Sequence, residues 1–144
     1  MQVGGFYELY STDTDGPNLD EISEFNNKLV KGHTFNPTLF RKLNVEDYLG
    51  YSSKIVKKCE RLPVSLEVFA DTFDQMEKQA YKINSWGKNI YVKIPVVNSK
   101  GHFSGKAIRT LSKKGIKLNI TAVYTVDQVR KIVKNINKNS KTII

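Results

Sequence analysis

The sequence predicts an α/β fold of parallel strands, a (β/α)8 barrel represented by five βα units and the opening of a sixth strand. Three observations predict it. Short β-type runs alternate with longer helical patterns along the chain, and such alternation builds βαβ units in which each crossover helix returns the chain to the same end of a parallel sheet. The turn after the first strand, "TDTDGPNLDEI", holds neither G-x-G-x-x-G nor a Walker sequence, so a doubly wound nucleotide fold lacks its glycine-rich turn and the barrel leads. Finally, 144 residues with 40% hydrophobic content suffice for one domain with a buried core.

Phe6 to Thr12 reads as the first strand. "NLDEISEFNNKLV" follows with apolar residues at Leu19, Ile22 and Phe25, and Asn18 with Glu21 has the spacing of a capping box. Lys31 to Phe35 is a short second strand. Pro37 then suits a helix's first turn, and "VEDYLGYSSKIVKKCERL" reads as a longer helix closed by Pro63. "PVSLEVFA" is the third strand, and "DTFDQMEKQAYKINSWG" a helix capped by Asp71 and stopped at Gly87. The fourth strand is "NIYVKIPVV", separated by the loop "NSKGHFSG" from the helix "KAIRTLSKKG". "IKLNITAVY" is the fifth strand, "TVDQVRKIVKNINKN" the fifth helix, and "KTII" opens a sixth strand.

Bulk properties limit the function classes. The apolar runs are far shorter than the ~20 residues of a membrane span, and "MQVGGFYELY" lacks the basic-then-apolar pattern of a signal peptide, so the expectation is a soluble cytoplasmic chain. One cysteine, Cys59, permits no intramolecular disulfide and reads as structural; His33 and His102 stand far apart, so no metal-ligand cluster is visible. The net charge of +9 and pI near 9.6 suit anionic partners. Yet the densest run, "VRKIVKNINKNSK", keeps Val129, Ile132, Val133 and Ile136 at helical spacing, which makes its lysines a solvated face. With no base-stacking aromatics beside it, nucleic-acid binding stays a weak alternative.

One lysine is different. Lys93 interrupts an apolar strand, sharing a face with Asn89 and Tyr91 while Ile90, Val92 and Ile94 line the other. A lysine in such a place needs a partner or a chemical task.

The segments "DGPNLDEI", "GHTFNPTLF", "PVSLEVFA", "NIYVKIP" and "SKKGIKLNITAVYT", in that order, resemble the successive signatures of the transaldolase family, from about residue 9 to the C-terminus. The resemblance implies a (β/α)8 barrel with a Schiff-base lysine on its fourth strand, at Lys93. An amine attacks a carbonyl only when unprotonated, and a lysine near its reference pKa of ~10.4 is almost fully protonated at neutral pH, so desolvation in the barrel is expected to activate it. Asp15 matches the family's acid/base on the hydroxyl whose deprotonation breaks the carbon–carbon bond; Asp13 is a rival with the same strand parity. Asn36, in "TFNP", matches the asparagine that binds substrate hydroxyls, although "HTFNP" stands where "VTTNP" is commoner, which makes His33 and Phe35 atypical. Glu67 and Thr121 match the pair that holds a proton-shuttling water, and Asn119 matches a second substrate-binding asparagine. Glutamate rather than glutamine at position 67 favours transaldolase over fructose-6-phosphate aldolase.

The resemblance thus implies transfer of a dihydroxyacetone unit from fructose 6-phosphate or sedoheptulose 7-phosphate to an aldose phosphate, as in the pentose phosphate pathway, with no cofactor or metal. Sugar phosphates are the expected partners. The family's sixth strand carries a serine, with an arginine soon after, for the substrate phosphate, whereas the sequence ends at Ile144. Closure of eight units would need about 70 or more further residues, so a C-terminally truncated barrel, or assembly with another half or a second copy as a homo-oligomer, is expected. The alternatives are an aldolase of the fructose-6-phosphate type and a non-catalytic half-barrel serving as a binding or assembly module.

Overall fold

Alternate residues of the strands decide which face of the sheet is covered. The structure is a computed structural model and describes residues 19–20, 22, 32–35, 47–59 and 62–144. Its strands are β1 (His33–Phe35), β2 (Val64–Glu67), β3 (Ile90–Pro95), β4 (Leu118–Thr121) and β5 (Thr142–Ile143). Between them run the helices α1 (Tyr48–Cys59), α2 (Phe73–Asn84), α3 (Gly105–Lys113) and α4 (Val126–Val133). All adjacent strands pair in parallel, in the order β1-β2-β3-β4-β5. That order never reverses, whereas a doubly wound sheet turns back at a switch point; it is the order of a barrel wall. The predicted first strand, together with Asp13, Asp15, Asn36 and Pro37, lies outside the described residues; of the predicted first helix only Leu19, Asp20 and Ile22 are described, with Ile22 helical and fully buried in the core.

Phe35, Leu66, Val92 and Leu118 share one register row and one face, and each is fully buried. Ile90, Ile94 and Ile120 join them, against Ile55, Met76, Ala80, Ile83, Ile108, Leu111 and Ile132 from the helices. Burying such side chains contributes roughly 1.5–3 kcal/mol each, which makes this layer between sheet and helices the main source of stability. Cys59 belongs to the same core at 1% exposure, and burial pushes its thiol up to about 12. It is a packing residue, as its spacing indicated.

Local chemistry sets the element ends. α3 closes on Gly115 at φ 75°, with Ile116 N–H donating to the Leu111 carbonyl and Gly115 N–H to that of Ser112. This six-to-one and five-to-two pattern needs a residue free to be left-handed, and buried Leu111 and Ile116 fasten it. α4 starts on a complete capping box between Thr125 and Gln128. It ends at Val133 rather than extending through "KNINKN", and just beyond that end Asn135 Oδ1 accepts two bonds from Arg109, at 3.0 and 2.7 Å.

One expectation is corrected. Asp71 does not cap α2, whose N-cap is Thr72 without a side-chain bond. The Asp71 carboxylate instead accepts from Ser99 N–H at 2.7 Å and Ser99 Oγ at 2.8 Å, which ties the loop after β2 to the loop after β3 and lowers the Asp71 pKa. A loop partner with two donors outcompetes one exposed helix-end N–H.

His33 is 3% exposed, and neither ring nitrogen has a hydrogen-bond partner. Desolvation lowers its pKa. Because the folded state disfavours the imidazolium, the unfolded chain binds the proton first, so stability is lost as pH falls through about 6.5, the unfolded value. Replacing His33 with leucine is therefore expected to flatten the urea-unfolding midpoint between pH 7.5 and 5.5. An unchanged slope in the variant would remove His33 as its source.

Candidate active site

The face of the sheet opposite the helices is polar. Register places Thr34, Ser65 and Tyr91 in one row and Glu67, Lys93 and Asn119 in the next, with Thr121 one layer further along, beside Pro95. In a barrel this face lines the interior, and the C-terminal ends of the strands, where Glu67 and Thr121 terminate β2 and β4, are where catalytic groups gather.

Lys93 and Glu67 form the centre of this face. Lys93 Nζ lies 3.9 Å from Glu67 Oε2, and their side chains are only 13% and 18% exposed. Lys93 Nζ also donates to Thr34 Oγ1 at 3.4 Å. Burial raises the Glu67 pKa and the nearby ammonium partly opposes it, leaving a carboxyl that holds its proton more readily than an exposed glutamate. Such a group can give and take protons closer to neutral pH. Asn119 Nδ2 donates to Ser65 Oγ at 2.9 Å.

Neighbouring elements fasten the strand ends. Tyr48 of α1 donates from its hydroxyl to the Glu67 carbonyl at 3.2 Å, and Gln79 Oε1 of α2 accepts from the N–H groups of Phe69 and Ala70 at 2.7 and 2.9 Å. The chain from the Glu67 carbonyl to Ala70 is thereby fixed. After β3, Ser104 Oγ donates to the Pro95 carbonyl at 2.7 Å. After β4, Ala122 takes φ 60°, a left-handed conformation that a non-glycine residue adopts at an energetic cost, bending the chain immediately beyond Thr121.

Of the residues expected from sequence, Glu67, Lys93 and Asn119 come together in one row, and Thr121 shares their face without a side-chain hydrogen bond among the described residues. Asp15 and Asn36 lie outside the described residues. Thr34, Ser65, Tyr48 and Gln79 were missed. The first two carried a usable signal, since each stands two residues before a candidate site residue and so shares its face; Tyr48 and Gln79 act through backbone atoms from helices and carried none.

The basic surface has a structural explanation. Arg109, Lys113, Lys134 and Lys138 line a groove of about 530 Å3 where α3 and α4 end, and cations there meet the negative ends of the helix dipoles. Helices end beside the strands' N-terminal edge, away from Lys93. Among the described residues, no helix is long and apolar enough to cross a membrane.

Comparison with known proteins adds the following. Residues 13–144 match the model of the family described as Transaldolase/Fructose-6-phosphate aldolase. Proteins named "Probable transaldolase" from Methanococcus maripaludis and from a Thermoanaerobacter species are each 36% identical over 115 residues, covering 79% of this chain and 51% and 50% of theirs. One of the same name from Nitrosopumilus maritimus is 34% identical over 117 residues, covering 79% of this chain and 49% of its own. The chain thus spans about half the length of the curated relatives it matches.

Proposed function

The chain belongs to the transaldolase/fructose-6-phosphate aldolase family, and we propose that it carries out transaldolase chemistry in the cytoplasm. The reaction is transfer of a dihydroxyacetone unit from a ketose phosphate, fructose 6-phosphate or sedoheptulose 7-phosphate, to an aldose phosphate. The observation that carries this reading is the placement of Lys93: an amine on the inner polar face, largely shielded from water, with a carboxyl 3.9 Å away.

Lys93 Nζ adds to the C2 carbonyl, and the carbinolamine loses water to give a protonated imine. Glu67, whose pKa burial raises, supplies and recovers the protons of that dehydration through a water shared with Thr121. Asp15 takes the C4 hydroxyl proton. The C3–C4 bond then breaks, its electron pair moves into the iminium to form an enamine, and the aldose phosphate departs. Asn36 and Asn119 hold the hydroxyls of the retained three-carbon unit, and an incoming aldose phosphate takes it up by the reverse steps. Glutamate at position 67 favours this transfer over a simple aldolase.

The test is intact mass after incubation with fructose 6-phosphate and borohydride, which reduces an imine to a permanent adduct. A dihydroxyacetone-sized increment is expected in the parent chain and absent in Lys93→Ala. An unmodified parent with an intact circular dichroism spectrum would sink the reading.

A further inference from the structure

Asn119 is held at one end only. Its Nδ2 donates to Ser65 Oγ, while its Oδ1 takes no hydrogen bond from any described residue and is not sealed from its surroundings. Ser65 itself is 4% exposed, so water does not compete well for this bond, and a buried partner left alone is costly. The register sets the path of the bond. Ser65 on β2 lies level with Tyr91, and Asn119 on β4 lies level with Lys93, so the bond crosses the intervening β3 on the N-terminal side of Lys93.

An amide held through its nitrogen presents its carbonyl oxygen, which only accepts. We propose that Ser65 is a positioning residue that orients the Asn119 amide, leaving Oδ1 free as an acceptor for a substrate hydroxyl beside the Lys93 amine. The proposal rests on the reading of Lys93 and Asn119 given above. It identifies the complementary ligand as a ketose that offers a hydroxyl donor next to its carbonyl carbon. Without the Ser65 hydroxyl, Asn119 can rotate and turn its amide nitrogen to the substrate, where two donors face each other.

The experiment measures the fructose 6-phosphate concentration giving half-maximal borohydride-trapped adduct, in the full chain. Ser65→Ala is expected to raise it about tenfold, the equivalent of one hydrogen bond of about 1.4 kcal/mol, with the maximal adduct unchanged. Asn119→Ala should raise it similarly, and the double variant no further than the larger single change, since both remove one contact. Ser65→Thr, which keeps the hydroxyl, should recover most of the loss. Ser65→Cys keeps the packing with a weak acceptor and should behave as Ser65→Ala if the latter folds poorly by circular dichroism. Three results overturn the proposal in different ways. A parent-like Ser65→Ala removes the positioning role and leaves the Schiff-base reading standing. Additive losses in the double variant mean that Ser65 acts independently of Asn119. A parent chain that traps no imine sinks the site reading and the positioning role with it.

Discussion

Replacing Lys93 with methionine is expected to abolish the trapped adduct and lower turnover by at least about 10³-fold, while the chain still folds. The first effect follows because Lys93 is the amine beside Glu67, whereas Lys117 lies over the Tyr91 ring towards the N-terminal end of the strands and donates to the Lys88 carbonyl; loss of a covalent nucleophile removes the reaction path itself. The stability of the variant has a pH signature. Lys93 holds the Glu67 pKa down against the upward push of burial, so removing the ammonium raises Glu67 further. A carboxyl whose folded pKa exceeds its unfolded value weakens the fold as pH rises through that unfolded value, because the unfolded chain ionises first. Lys93→Met should therefore match the parent near pH 4 and fall progressively below it towards pH 7, measured by urea unfolding. Adding Glu67→Gln should abolish that fall. A Lys93→Met chain with undiminished adduct would move the chemistry elsewhere, and one with parent-like stability at every pH would show that Glu67 and Lys93 are not coupled.

Ile94→Ala is expected to do the opposite, costing about 2–5 kcal/mol of stability because Ile94 is fully buried against the helices. Against a typical total of about 5–15 kcal/mol, this change lowers the unfolding midpoint more than any other predicted here. At low temperature, where the variant remains folded, it should still form the adduct. Adjacent residues thus separate chemistry from folding, since the pleat turns Lys93 to the inner face and Ile94 to the core. Loss of adduct in folded Ile94→Ala would show that the two faces are not independent.

Much of this is legible in the sequence. The strands β3 and β4 are legible from alternation around Val92 and Leu118, and burial requires that alternation wherever one side of a strand meets helices. Lys93 stood out for the same reason, as a charge where the pattern asks for a polar inward position. Element ends were less legible. Asp71 has the residue type of an N-cap, yet its preference was decided by Ser99, 28 residues away, and α4 stops where Asn135 meets Arg109, 26 residues away.

The sequence by itself determined the alternation of strands and helices, the face on which Lys93, Glu67, Asn119 and Thr121 lie, and the family pattern they match, because periodicity and residue type are local properties of the chain. Only the tertiary structure decided that the strands follow one another without reversal and that Glu67 and Lys93 come within 3.9 Å. It alone showed that Ser65 reaches Asn119 across β3. Those contacts depend on register between strands 26 or more residues apart, and register comes from how the helices pack the far side of the sheet rather than from any neighbouring residue.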